Sequence, residues 1–127
     1  MDAKQTVLSF WQAMESNDFY AASEWLDESY EGIWPQSSEV IRGRGNFAAL
    51  NSAYPADGLW RFTINSIVAE GKQVVTDVSV TDGNRQDRVI TFSTVKGGLI
   101  VKQVEFWPDN YPAPEWRAQW VERLMAD

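Results

Sequence analysis

Three ionisable residues, Asp77, Arg88 and Glu105, each lie inside an alternating, strand-like stretch rather than in a loop. Two carboxylates and a guanidinium on neighbouring strands can move a proton. One carboxyl takes or gives it, while the cation keeps the other ionised or stabilises a developing oxyanion. The same trio can also be a structural ion-pair network. Other chemistry is restricted, because the 127 residues contain no Cys and no His. That removes thiolate nucleophiles, disulfides, thiolate metal sites and imidazole bases. No motif calls for a metal or an organic cofactor, so acid–base work falls to carboxylates, Tyr, Lys or bound water.

The strands that must position these groups are read from alternation and turn residues. They run Leu59–Glu70, Gln73–Thr81, Arg85–Lys96 and Leu99–Trp107, with Gly71-Lys72, Asp82-Gly83 and Gly97-Gly98 as two-residue hairpin tips. Such tips set Ser66 beside Asp77, Asp77 opposite Arg88, Arg88 opposite Trp107 and Ile90 opposite Glu105. One face then carries Trp60, Phe62, Phe92 and Trp107 together with all three ionisable residues, and should pack beneath the helices. The other, rich in Val and Thr, suits an outer face that is solvated or buried in a homodimer. A carboxylate buried without a partner costs several kcal/mol. Asp77 and Glu105 are therefore expected to be paired, hydrated or used.

Upstream, Val7, Leu8, Trp11 and Met14 fall at helical spacing over Ala3–Glu15, and Ser16-Asn17-Asp18 reads as a stop followed by a new cap. A short second helix carries Phe19, Ala22 and Leu26. Tyr30–Trp34, closed by Pro35, reads as an edge strand or a strand-like arm. Gly43-Arg44-Gly45-Asn46 is turn chemistry that opens a third helix, Phe47–Ala53, with Arg42 and Arg44 as loop residues that bond backbone carbonyls or, as the alternative, a substrate anion. After Trp107 comes the proline-rich PDNYPAP, and Glu115–Met125 can form a last helix. Helices followed by hairpins predict one α+β domain over residues 1–127.

Seven Trp, six Phe and four Tyr suggest either a heavily packed core or a cavity walled by rings. Trp11, Tyr20, Trp34, Phe62, Phe92 and Trp107 are the candidate walls of a site for a small apolar molecule. The net charge of −7 repels phosphate backbones and anionic membranes, which argues against nucleic acid or a membrane as partner. The N-terminus has no signal-peptide pattern and no stretch approaches about 18 apolar residues, so a cytoplasmic location is expected.

The FWQAMESND start, the Gly43-Arg44 turn, the GGLIVKQVEFWPD strand and the PAPEWRAQWVE tail resemble the nuclear transport factor 2-like superfamily, in particular its SnoaL-like polyketide cyclase branch. The resemblance implies a cone-shaped, cystatin-like fold: a curved antiparallel sheet closed by the N-terminal helices, with a pocket between them. It also implies a homodimer through the outer sheet face. That superfamily includes ketosteroid isomerases, scytalone dehydratases, polyketide cyclases, limonene epoxide hydrolases and non-enzymatic domains. Glu105 resembles the last-strand carboxylate of the cyclases and epoxide hydrolases, and Arg88 the epoxide hydrolase arginine that sits between two carboxylates. The second carboxylate of that set would lie at Ile90, a departure that argues against epoxide hydrolysis unless Asp77 substitutes from the next strand. The missing His argues against dehydratase chemistry. The expectation is an isomerase, cyclase or hydrolase using carboxylate acid–base chemistry on a small, apolar, oxygenated compound. A non-catalytic binding or dimerisation domain is the alternative.

Overall fold

The computed structural model describes residues 1–125. Helix α1 (Ala3–Glu15) starts with a reciprocal cap: Gln5 N donates to Asp2 Oδ1 at 2.8 Å, and Asp2 N donates to Gln5 Oε1 at 3.1 Å. Its buried stripe is Val7, Phe10, Trp11 and Met14. The helix stops at Asn17, which takes a left-handed φ of 63° that Asn tolerates better than most side chains. Asn17 also donates to the Trp60 carbonyl and accepts from the Trp60 amide, both at 2.8 Å, fastening the helix end to the start of the sheet. Helix α2 (Phe19–Ser23) is capped by Asp18, and α3 spans Arg44–Ala53.

Six strands form one sheet: β1 (Leu26–Trp34), β2 (Glu39–Arg42), β3 (Arg61–Glu70), β4 (Gln73–Thr81), β5 (Gln86–Lys96) and β6 (Leu99–Phe106). Their order is β2-β1-β6-β5-β4-β3. The β1–β6 pair is parallel and the others antiparallel, so the sheet is mixed rather than purely antiparallel. Helix spacing had placed Leu26 on α2. It is instead the first residue of β1, where its side chain is fully buried. The expected helix Glu115–Met125 is reduced to a 3₁₀ stretch over Glu115–Trp120. An isolated helix of that length is marginal unless its apolar face packs on something, and here its large apolar side chains stay exposed.

The facing of the strands differs from the hairpin expectation for a definite reason. Asn65 is an extra residue between the pairs Ile64–Val78 and Ser66–Asp77, and Val101 is an extra residue between Val95–Ile100 and Thr94–Lys102. Each one-residue bulge reverses which side of the sheet the flanking residues meet. The β4–β5 loop is also four residues long, 82–85, rather than two. That even change moves partners without moving faces. Ser66 does pair with Asp77, but Asp77 lies opposite Ile90, Arg88 opposite Ser79, and Thr91 opposite Glu105.

Strands β4 and β5 therefore sit the other way up. Val74, Thr76, Val78, Val89 and Thr91 are fully buried under the helices, and Asp77, Arg88 and Phe92 lie on the outer face. Phe62 on β3 and Glu105 on β6 keep the inward facing expected of them, because each lies beyond its bulge. The core closes where Phe10 meets Trp11 and Phe47, with ring centroids at 5.2 and 5.8 Å. Each such buried apolar side chain contributes about 1.5–3 kcal/mol.

Candidate functional site

Glu105 projects from β6 under the helices, and both its oxygens are engaged. Trp34, at the end of β1, donates its indole N–H to Oε1 at 3.0 Å, and the Thr91 hydroxyl donates to Oε2 at 2.8 Å. Among the described residues, no cation pairs with it. Burial pushes its carboxyl above the usual carboxylate range, and the two neutral donors offset only part of that push. Behind it, the Tyr30 hydroxyl donates to Gln103 Oε1 at 2.8 Å, and Gln103 Nε2 donates to Ser93 Oγ at 3.3 Å. Burial, and secondarily the nearby Glu105 charge, hold the Tyr30 phenol well above its ordinary value. Gly32 is required beside this chain, since a Cβ there would come within 2.5 Å of the Tyr30 hydroxyl oxygen.

Glu105 opens onto an inner hollow of about 40 Å³ walled by Trp11, Trp34, Phe62 and Trp107. An adjoining hollow of about 50 Å³ shares Trp34, Phe62 and Trp107 and reaches the surface past Trp60, Tyr54 and Asp87. The Phe62 wall is fixed by the end of α1: Glu15 accepts from the Phe62 amide at 2.7 Å and from Arg61 Nε at 2.9 Å. Trp11 is buried, and its indole N–H has no partner. A single raised carboxyl facing apolar rings can lend or accept one proton, and among the described residues no other ionisable group lines the inner hollow.

Of the residues singled out in the sequence, Glu105, Trp11, Trp34, Phe62 and Trp107 meet around this hollow. Asp77 and Arg88 do not. They pair with each other on the outer face, Nε to Oδ1 at 2.6 Å and Nη2 to Oδ2 at 2.5 Å, and the guanidinium holds Asp77 below its usual pKa. Tyr20 is 59% exposed, and Phe92 packs against Phe106 on the outer face. Arg44 reaches the Leu26 carbonyl at 3.4 Å as expected, whereas Arg42 pairs with Glu31 instead.

The carboxylate that does share the inner face is Asp87, at the mouth opposite Val80 and ion-paired with Arg85 at 2.6 Å. Its signal was present in the sequence. The buried alternation Val89, Thr91, Ser93, Val95 places residue 87 on the same side. Phe10, Phe47 and Asn51, from helices whose facing the strand pattern does not address, complete the inner wall.

The model of the SnoaL-like domain matches residues 7–103. The chain belongs to the SnoaL-like domain family. No curated protein matches the sequence. Solved structures do. A Kribbella flavida protein assigned provisionally as a ketosteroid isomerase is 27% identical, with a TM-score of 0.89 over 98% of this chain and 91% of that one. An NTF-2 like protein of unknown function from Burkholderia xenovorans is 29% identical, with a TM-score of 0.80 over 97% and 95%. An LEH-like epoxide hydrolase of M. tuberculosis is 22% identical, with a TM-score of 0.70 over 84% and 82%, a likeness of fold alone.

The SnoaL-like match ends at Gln103, so Glu105 and Trp107 stand just beyond the matched residues. Among the described residues of this SnoaL-like chain, no cluster of three or more acidic residues is arranged to hold a metal ion, and no helix is long and apolar enough to cross a membrane.

Proposed function

We propose that this SnoaL-like protein is a small-molecule enzyme of the isomerase, cyclase or hydrolase type, with Glu105 as its acid–base group. The supporting observation is the environment of that carboxyl. It is raised by burial, held by two neutral donors, without a counter-ion, and open to a hollow lined by rings. A carboxyl tuned towards neutral pH both takes and returns a proton, as a shift of a double bond or a ring closure beside a carbonyl requires.

The size of the hollows narrows the substrate. The two hollows, about 40 and 50 Å³ and sharing Trp34, Phe62 and Trp107, suit a single small ring beside Glu105. The compound is neutral and mostly apolar, with one oxygen that meets Glu105. Asp87 and Arg85 at the mouth supply a polar rim that a substrate oxygen can pass.

One observation favours a second reading, a binding domain without turnover. Both Glu105 oxygens already accept hydrogen bonds, as a purely structural carboxylate would. The two readings separate in one experiment. Cyclic ketones, cyclic enones and small terpene epoxides are ranked by thermal shift, and the binders are incubated in deuterated buffer under NMR. Glu105-dependent deuterium uptake or product formation, lost in Glu105→Gln while binding persists, is the expected result. Binding with no exchange in either protein leaves the non-catalytic reading standing.

A further inference from the structure

One polar group on the inner hollow takes no part in the acid–base chemistry of Glu105. Trp11 is 4% exposed, and its indole N–H meets no acceptor on the chain. Buried donors are almost always paired, and one left bare keeps the full cost of its lost hydration. A position that only packs would carry Phe or Leu without that cost. Among the described residues, one other buried side-chain atom is in this condition, the Thr76 hydroxyl oxygen, and Thr76 borders neither hollow.

The Trp11 ring is wedged and cannot swing away to find a partner. Phe10 stands edge-on to it with centroids 5.2 Å apart, and Phe62 lies tilted against it at 5.7 Å. Phe62 is itself held by Glu15, one turn further along α1. Of the two hollows, Trp11 borders the inner one, together with Glu105.

Other donors in that wall are already taken. The Trp34 indole donates to Glu105 at 3.0 Å, and Asn51 Nδ2 donates to the Phe47 carbonyl at 2.9 Å. Trp107, the third indole, is only half-buried. An occupant of the hollow is thus left to supply the acceptor for Trp11. An indole N–H donates and never accepts, and it carries no charge. It suits a neutral oxygen, since a carboxylate in the same hollow would be opposed by the uncompensated Glu105.

We propose that the Trp11 indole N–H is the substrate-binding donor of this hollow, receiving the carbonyl or epoxide oxygen of a small neutral ring packed on Phe62, Trp34 and Trp107. Such an oxygen has two lone pairs, so the one brought to Glu105 takes its second hydrogen bond from Trp11. The consequence is selectivity. A ring of the same shape with a methylene in place of the oxygen fills the hollow but leaves the donor bare. The ligand class rests on the function proposed for Glu105, whereas the donor role of Trp11 does not.

Cyclohexanone and methylenecyclohexane form such a pair. In isotope-labelled wild-type protein, the Trp11 indole N–H resonance is identified by its nuclear Overhauser contacts with Phe10 and Phe62. It should move downfield with cyclohexanone, further than any other indole, and stay in place with methylenecyclohexane. The ratio of the two affinities should fall about 10-fold in Trp11→Phe, the size of one net hydrogen bond, because the lost ring volume affects both ligands alike. Should that variant fail to fold, the resonance in the wild-type chain decides alone. The proposal is overturned if cyclohexanone, cyclohexenone and cyclohexene oxide, each near its solubility limit, all leave the Trp11 resonance unmoved. An affinity ratio unchanged in a folded Trp11→Phe overturns it equally. In Glu105→Gln the shift should persist. A shift without any Glu105-dependent turnover would remove the enzyme and keep the donor, and turnover without a shift would do the reverse.

Discussion

Two carboxylates on the same sheet, Asp77 and Glu105, each accept two hydrogen bonds, yet their acidities move in opposite directions. On the outer face Asp77 is gripped by a full positive charge in partial contact with water, and its pKa falls. On the inner face Glu105 meets an indole and a hydroxyl in an apolar hollow, and its pKa rises. The number of hydrogen bonds is the same. What differs is whether the environment supplies a compensating charge for the one that burial penalises. Reactive potential on this scaffold follows the face a residue occupies rather than its residue type.

The largest expected effect breaks the comparison at its root. Val78→Asp puts a lone carboxylate on a fully buried inner position and should cost at least about 4 kcal/mol, seen as loss of cooperative urea unfolding. Asp77→Val, one residue away, should change stability by less than about 1 kcal/mol. Equal losses in the two variants would mean that the facing is wrong.

Next is Glu105→Gln, which should lower turnover of any substrate found by about 10²- to 10⁴-fold. The Gln amide can still accept from Trp34 and donate to Thr91, so the fold should persist, and removing a buried charge should raise the melting temperature at pH 8.

The pH dependence sharpens the point. Glu105 has a folded pKa above its unfolded one, so its contribution favours folding at low pH and is lost as pH rises through the folded value. Glu105→Gln should flatten that alkaline-going limb in thermal melts. Asp82 behaves in the opposite sense. It accepts from the amides of Asp57, Asn84 and Arg85 at 2.9, 3.0 and 2.9 Å, which hold its pKa low. Its stabilising contribution is present above the unfolded value and lost as pH falls through the folded one, so Asp82→Asn should remove part of the acid limb and leave the alkaline one alone. The smallest effect is expected at Arg88→Met, under about 1 kcal/mol with turnover unchanged, because Asp77 is left where water can reach it.

The elements were legible because turns and alternation are local: the hairpin tips at Gly71 and Gly97, the cap at Asp18 and the apolar stripe of α1 are each written within a few residues. Glu105 came out on the inner face with Phe62 because the bulge at Val101 undoes the reversal made at Asn65. Asp77 and Arg88 were misplaced because facing was carried from strand to strand by counting from the turns, and a bulge of one residue at Asn65 or Val101 has no marker in composition. Each strand's own pattern held the correction. Val74, Thr76, Val78 and Val80 are the half of β4 that a core would claim, and the polar half, Asp77 and Ser79, is what water would claim. The parallel pairing of β1 with β6 left no local trace, since its partners lie some 70 residues apart.

That separation bears on how the protein is made. The bond between Trp34 and Glu105 joins residues 71 positions apart across the β1–β6 seam, and the whole β3–β6 meander lies in the sequence between them. During synthesis the hairpins can zip as they emerge, but β1 must wait for β6, the last of these six strands to leave the ribosome. The indole of Trp34 therefore finds its carboxylate only at the closing step. Its fluorescence should change in the slowest refolding phase, and a nascent chain halted before Leu99 would hold native-like ribbons and no assembled site.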